Sequence, residues 1–366
     1  MSVQERDLVI APAPPGRARG IPSGLARIAV ALRADPERML AVRESARALV
    51  SSRVLVLSSG IAAAALFGLG SARNAYDPPG LTGGFGRVGD VLAASVARWD
   101  SAWYLAIAHW GYQPALGAAT AARTAYFPLY PLTMRALSWT GLPLIGAGVL
   151  ISLCAFAFAL YGVHRLAVLE LRRPGALRAP ASPTSAARLA VLATAFSPMA
   201  LFFSAVFTDA LYMALSIAVF ASARRGRWAA AGLAGGLAAA TRSTGLMLVV
   251  PALILYLYGP RTDRAPEREA ATLRPRYRLR ADVLWLLLVP AGIAAYAVGL
   301  WLAGGDLLAP FHAEHAWFRH FAGPYGGAWD GLVAGWDGAR QLLSMQTHHV
   351  YFQLAGGNPM IAAQHN

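Results

Sequence analysis

Long apolar runs constrain this chain more than any other feature. A helix needs about 20 mostly apolar residues to cross a bilayer, with about 17 as the practical minimum. The sequence offers seven candidates: Val54 to Gly70, Leu142 to Val163, Leu189 to Val206, Ala210 to Ala223, Trp228 to Ala240, Gly245 to Tyr258 and Val283 to Ala303. The fourth, fifth and sixth are short and are expected to extend into their flanks. In hydrocarbon every backbone polar group must be satisfied internally, so runs of this kind predict helices. Only 14% of residues are charged, against about 25% in soluble domains, which excludes a soluble two-domain protein and predicts an all-α polytopic membrane protein.

The runs divide the chain into an N-terminal segment (1–53), a transmembrane domain (54–303) that includes a large loop (71–141), and a C-terminal segment (304–366). The first segment holds a Pro/Arg stretch, Ala11 to Pro22, and an amphipathic stretch, Leu25 to Val50. It lacks the short apolar core and small-residue cleavage site of a signal peptide. A single cysteine, Cys154, lies inside an apolar run, so neither an internal disulfide nor a thiolate zinc site can form.

Orientation follows from the basic residues, all 32 of which are arginine. Cytoplasmic segments retain such residues during insertion. With the N-terminus inside, 24 arginines and ten acids fall on the inner side, and eight of each on the outer side. The net charge of +14 is therefore a topology signal rather than a nucleic-acid footprint. Seven of the eight histidines and most tryptophans fall outside, in the two long segments, which places function on the outer face of the cell membrane.

The first outer segment reads Arg98-Trp99-Asp100-Ser101-Ala102-Trp103-Tyr104-Leu105-Ala106-Ile107-Ala108-His109-Trp110. Trp99, Trp103, Ile107 and Trp110 recur at helical spacing and predict an aromatic face at the membrane boundary, with Asp100 near a helix start. Spacing alone leaves two readings of Asp100 open: a helix N-cap, or a functional acid at the water interface. The block Ala125 to Leu132 is too broken by proline for a span and too apolar for an exposed loop, and reads as a partly inserted segment or a Pro-rich linker.

Together with this block, the run around Trp99-Asp100-Ser101 and Tyr126-Phe127-Pro128-Leu129-Tyr130-Pro131 resembles the PIG-V-type mannosyltransferases, whose eukaryotic members add the second mannose in GPI-anchor assembly. Further pieces of the resemblance are Phe202-Phe203-Ser204, Thr208-Asp209-Ala210-Leu211-Tyr212, Arg225-Gly226-Arg227-Trp228 and Ala240-Thr241-Arg242-Ser243-Thr244-Gly245-Leu246. It covers about Arg98 to Leu257 well and Asp306 to Trp317 weakly. The resemblance implies a GT-C-like glycosyltransferase of about seven transmembrane helices, with interfacial helices in the first outer loop. It also implies a polyprenyl-phosphate-mannose donor, a lipid or glycan acceptor, and Asp100 as the essential acid. Two departures stand out: Asp209 occupies a position that is usually glutamate in bacterial relatives, and the chain ends where the family continues through more spans.

Such a transfer needs an acceptor hydroxyl deprotonated, an oxocarbenium-like centre stabilised and a departing phosphate neutralised. Asp100 is the expected base of an inverting displacement, its pKa raised by the aromatic setting. Arg242, between two apolar spans, is the expected phosphate ligand or else a snorkelling arginine; Arg98 is its rival. Asp209 is expected to bind a hydroxyl, to pair with Arg242 or simply to cap a helix. Trp99, Tyr104 and Tyr126 are expected to line the substrate site.

His312 and His315 flank Glu314 in the late segment. The helical zinc pattern places its histidines four apart and needs a further ligand, so these two read as cleft or interface residues and no metal site is expected. No cofactor beyond the lipid-linked sugar is implied, and bulk membrane lipids are the other expected partners. Two rival functions remain at this level: a GT-C enzyme using another polyprenyl-phosphate sugar, and a non-enzymatic transporter or binding subunit for lipid-linked sugars. The latter is expected to show broken helices in paired halves.

Overall fold

A computed structural model describes residues 35–69, 80–114, 121–172, 182–267, 274–313 and 323–344. These residues fold into helices joined by turns, with no strand among them. The first helix, α1 (Pro36–Phe67), is set by local chemistry. Asp35 caps it by accepting from the Glu37 and Arg38 amides at 3.1 Å, Pro36 supplies a preset φ, and Glu37 faces the positive end of the helix dipole. It starts at Pro36 rather than at Val54, so the later part of the amphipathic stretch is continuous with the first span.

Two short helices, α2 (Gly86–Ala94) and α3 (Ser101–Trp110), lie in the segment after α1, followed by α4 (Leu129–Ser138). The long α5 (Leu144–Leu171) comes next, then α6 (Pro183–Ala195), α7 (Asp209–Arg224) and α8 (Trp228–Ala239). A 3-10 turn leads into α9 (Val249–Tyr258) and another into α10 (Leu288–Leu302). Two elements close the described chain, α11 (Ala309–His312) and α12 (Gly323–Leu343).

Among the described residues three helices are long and apolar enough to cross a membrane: Pro36–Phe67, Leu144–Leu171 and Ala281–Leu302, the last including its 3-10 turn. Trp228–Ala239 and Ser243–Tyr258 are shorter apolar helices. Leu66, Phe67, Leu189, Leu284 and Leu302 are exposed, which suits a lipid-facing surface and makes this an all-α membrane protein.

The third apolar run is not one helix. α6 stops at Ala195, and Ser197-Pro198 follows; proline removes an amide donor and disfavours helical backbone in the residue before it. The chain then makes only a 3-10 turn, Ala200–Phe203. Arg53, from the middle of α1, satisfies the carbonyls freed by the break. Its Nη1 donates to the Ala200 carbonyl at 2.6 Å and to Ser204 Oγ at 2.5 Å, and its Nη2 to the Ala195 carbonyl at 3.1 Å. The guanidinium also sits over the Phe156 ring. Arg53, counted by sequence among the inner arginines, is buried in the bundle at 6% exposure.

Small residues let the helices approach closely. A Cβ at Gly236 of α8 would stand 2.5 Å from the Leu288 carbonyl oxygen, and one at Gly292 of α10 would stand 2.1 Å from that of Gly236. At one end of the bundle Glu37 of α1 pairs with Arg172, and Glu170 with Arg224, while buried His164 meets Glu44 at 2.8 Å. These ties orient the helices so that α3, α4 and the start of α7 gather at the other end.

Candidate active site

That end is built on a backbone irregularity. Trp99 adopts φ 53°, the left-handed region that L-residues other than glycine seldom enter, and α3 begins two residues later. The kink sets Asp100 at the start of α3, but its side chain makes no capping bond to the helix. Instead Oδ1 of Asp100 accepts from the Tyr126 hydroxyl at 3.2 Å. Asp100 is exposed.

The aromatic face expected along α3 also resolves differently. Ile107 is 2% exposed and sits in the core with Leu105 and Tyr104, and the Trp103 ring stacks on Tyr126 at 5.5 Å and 15°. Trp99 and Trp110 alone of the four are exposed. α3 is a buried helix because Ser101, Ala102 and Ala106 let it pack against α4 and α5 on more than one side.

Tyr126, Phe127 and Tyr130 are buried, so the proline-rich block packs on protein. Leu129 donates its amide to the Ala240 carbonyl, joining the start of α4 to the end of α8. The Tyr130 hydroxyl reaches the Gly148 carbonyl and Ser152 Oγ of α5, both at 2.9 Å, and Ser152 in turn donates to the Ala205 carbonyl. Val206 donates to the Val96 carbonyl at 2.8 Å. The irregular segment before α7 is thereby locked to the loop that carries Asp100.

Tyr104 stands at the centre. Its ring meets those of Tyr126, Tyr130 and Phe207 edge-on, and its hydroxyl lies 3.3 Å from Thr208 Oγ1. Burial pushes the Tyr104 phenol well above its usual pKa, the Thr208 hydrogen bond opposes this, and the Asp100 carboxylate adds to it. The Arg242 Nη1 donates to Asp209 Oδ1 at 2.8 Å and to Thr208 Oγ1 at 3.4 Å. Of the alternatives open for Asp209, pairing with Arg242 is the one present. A path of contacts thus runs from Asp100 through Tyr126, Tyr104 and Thr208 to Arg242 and Asp209.

Arg98 lies outside this path and donates to the Leu69 carbonyl at 3.0 Å. Trp99 turns to Phe202, with ring centroids 6.1 Å apart. His312 is exposed beside Asp306, its Nδ1 3.3 Å from Oδ2, and joins none of the path residues. His315 lies outside the described residues. Among the described residues no group of three or more His, Cys, Asp or Glu is placed to hold a metal ion. Sequence reasoning passed over Thr208, although it adjoins Asp209 in a quoted motif, and over Arg53 and Ser152, polar residues inside apolar helices that carried a usable signal.

The described residues of this all-α membrane protein thus gather a carboxylate, two phenols and an arginine–aspartate pair at one end of the bundle. The family model for mannosyltransferase (PIG-V) matches residues 44–257, more than half of the chain. The chain belongs to that glycosyltransferase family. A curated relative, GPI alpha-1,6-mannosyltransferase 2 of Rattus norvegicus, is 30% identical over an alignment of 189 residues that covers 48% of this chain. The match covers 35% of the relative, so the chain spans about a third of its length. No solved structure matches significantly. Asp100, Tyr104, Tyr126, Asp209 and Arg242 all fall inside the family match, and His312 falls outside it.

Proposed function

We propose that the protein transfers a mannosyl residue from polyprenyl-phosphate mannose to a hydroxyl of a lipid or glycan acceptor, with inversion, on the outer face of the cell membrane. The observation that carries this reading is that Asp100, through Tyr126, and the Arg242–Asp209 pair, through Thr208, both connect to Tyr104. Asp100 takes the acceptor proton as the new oxygen–carbon bond forms at the sugar's anomeric carbon. The bond from that carbon to the phosphate oxygen breaks, and its electron pair leaves with the polyprenyl phosphate. Arg242, held by Asp209, neutralises the charge that develops there. Tyr126 orients the Asp100 carboxylate by donating to it. The excess of arginine on one side of the spans supports an N-terminus inside and this cluster outside.

The test incubates membranes holding wild-type or Asp100→Asn protein with radiolabelled polyprenyl-phosphate sugars. Labelled product from the mannosyl donor, lost in the variant, is the expected result. Product from a different sugar donor would replace mannose in the assignment. No transfer from any donor by a correctly inserted protein would overturn the enzymatic reading.

A further inference from the structure

The last described helix, α12, is inside out for water. Tyr325, Trp329, Leu332, Trp336 and Leu343 are each 65–89% exposed. At 3.6 residues per turn they fall within about 60° of one another around the axis, so they form one stripe. Gln341, on the other side of the helix, is fully buried. Six of the 21 residues are glycine, which weakens the helix in water and leaves it dependent on a surface that covers its apolar face. The chain leading to α12 stays with the lipid-facing surface: Leu302 at the end of α10, then Leu307 and Phe311, are exposed. α11 is meanwhile held at the end of the bundle that carries Tyr126. Thr124 Oγ1 donates to the Ala309 carbonyl at 3.0 Å, and Ala309 packs in one cluster with Phe127 and Tyr296. Gly323 follows ten residues after Ala313.

We propose that α12 lies along the lipid–water interface of the bilayer, with its aromatic stripe inserted among the headgroups and upper acyl chains. Phenol and indole rings favour that level, and a helix lying there buries its apolar face by about 5–10 Å. Although 21 residues are long enough to cross, Asp330, Asp337 and Arg340 together with the glycines keep α12 out of the set of helices apolar enough to do so. Two aspartates against one arginine give it a net charge of −1, and Arg340 pairs with Asp337 at 3.5 Å. Attraction to anionic lipid is therefore not what holds it; apolar insertion is. A second copy of the chain could also cover the stripe, but the unbroken run of exposed apolar residues from the lipid-facing α10 favours lipid. This placement does not rest on the transfer reading above.

The experiment uses the full chain carrying Cys154→Ala in phosphatidylcholine nanodiscs, with a nitroxide on one introduced cysteine at a time: Tyr325→Cys, Trp336→Cys, Leu343→Cys or, on the polar flank, Asp330→Cys. Leu332→Cys serves for any stripe variant that does not accumulate. Collision rates with oxygen and with a water-soluble nickel chelate give the depth of each label. The three stripe labels are expected at one common depth, about 5–10 Å below the phosphates, while the Asp330→Cys label meets the chelate severalfold more often. Adding phosphatidylglycerol should leave these depths unchanged; insertion that needs it would overturn the charge-independent mode. A depth that runs steadily along the helix, by about 27 Å from Tyr325→Cys to Leu343→Cys, would make α12 a crossing helix and overturn the proposal. Free access of the chelate to the stripe would overturn it in favour of water. Stripe labels shielded from both reagents, with spin–spin broadening between copies, would replace lipid by a second copy; shielding without broadening would replace it by another protein surface.

Discussion

Arg242 and Asp209 form an ion pair with 2.8 Å between Nη1 and Oδ1, across the gap between the start of α7 and the turn after α8. Their side chains are 42% and 32% exposed, so solvent screening leaves the pair worth at most about 1 kcal/mol to folding. Such a pair is better suited to presenting a guanidinium than to holding the bundle together. Thr208, on the same guanidinium, ties it to Tyr104.

Arg242→Gln should therefore raise the apparent KM for the lipid-phosphate donor about tenfold while leaving thermal unfolding in detergent nearly unchanged. Asp209→Asn should act in the same direction but more weakly, because the guanidinium remains and only its orientation is lost. A double variant no worse than Arg242→Gln would be consistent with that order. Unchanged donor affinity in Arg242→Gln would remove this residue from the phosphate site.

Asp100→Asn should lower kcat by about 10²–10⁴-fold, the usual contribution of a positioned general base. Tyr126→Phe removes the hydroxyl that donates to Asp100 but keeps the ring that stacks on Trp103. It should cost about tenfold in kcat with little change in KM. A larger fall in stability than in kcat would mark Tyr126 as a packing residue only.

The positive φ at Trp99 gives a backbone test. A β-branched residue tolerates this region least, so Trp99→Val should be about 1–2 kcal/mol less stable than Trp99→Gly, despite burying more apolar surface. Thermal unfolding of the two variants decides it, and equal stability would mean that the loop relaxes.

Arg53→Met keeps the length and much of the apolar volume of the side chain but withdraws its donors from the Ala195 and Ala200 carbonyls. Leaving such groups buried and unpaired should cost about 2–4 kcal/mol, readable as a lower unfolding temperature. A variant as stable as wild type would show that the break after α6 does not depend on this residue.

Tyr104 links protonation to stability. Its phenol is held above the usual value of 10.0 because burial disfavours the charged form, so the folded state keeps its proton at a pH where the unfolded chain has lost it. The stability it contributes is complete below pH 10 and falls as pH rises beyond it. Tyr104→Phe should flatten the stability profile from pH 10 upward, as measured by urea unfolding in detergent. An unchanged slope would assign the alkaline loss to other groups.

The runs starting at Ala210, Trp228, Gly245 and Val283 were legible because sustained apolar sequence has few ways to satisfy its backbone in lipid other than a helix. Asp100, Tyr126, Asp209 and Arg242 were legible as candidates because polar groups amid apolar sequence are costly unless used. The break after α6 had a signal in Pro198 that hydropathy averages away. The inward turn of Trp103 and Ile107 had none, since spacing gives a face but not what lies against it.

The amino-acid order by itself determined the class of the protein, its helical segments and most of the residues worth testing, all of which follow from local composition and period. Tertiary structure alone decided that Tyr104 and Thr208 join the two halves of the site and that Arg53 mends a broken span. The physical reason is distance along the chain. Tyr104 and Thr208 are 104 residues apart and Arg53 and Ala200 are 147 apart, so each contact exists only once several helices have packed against one another.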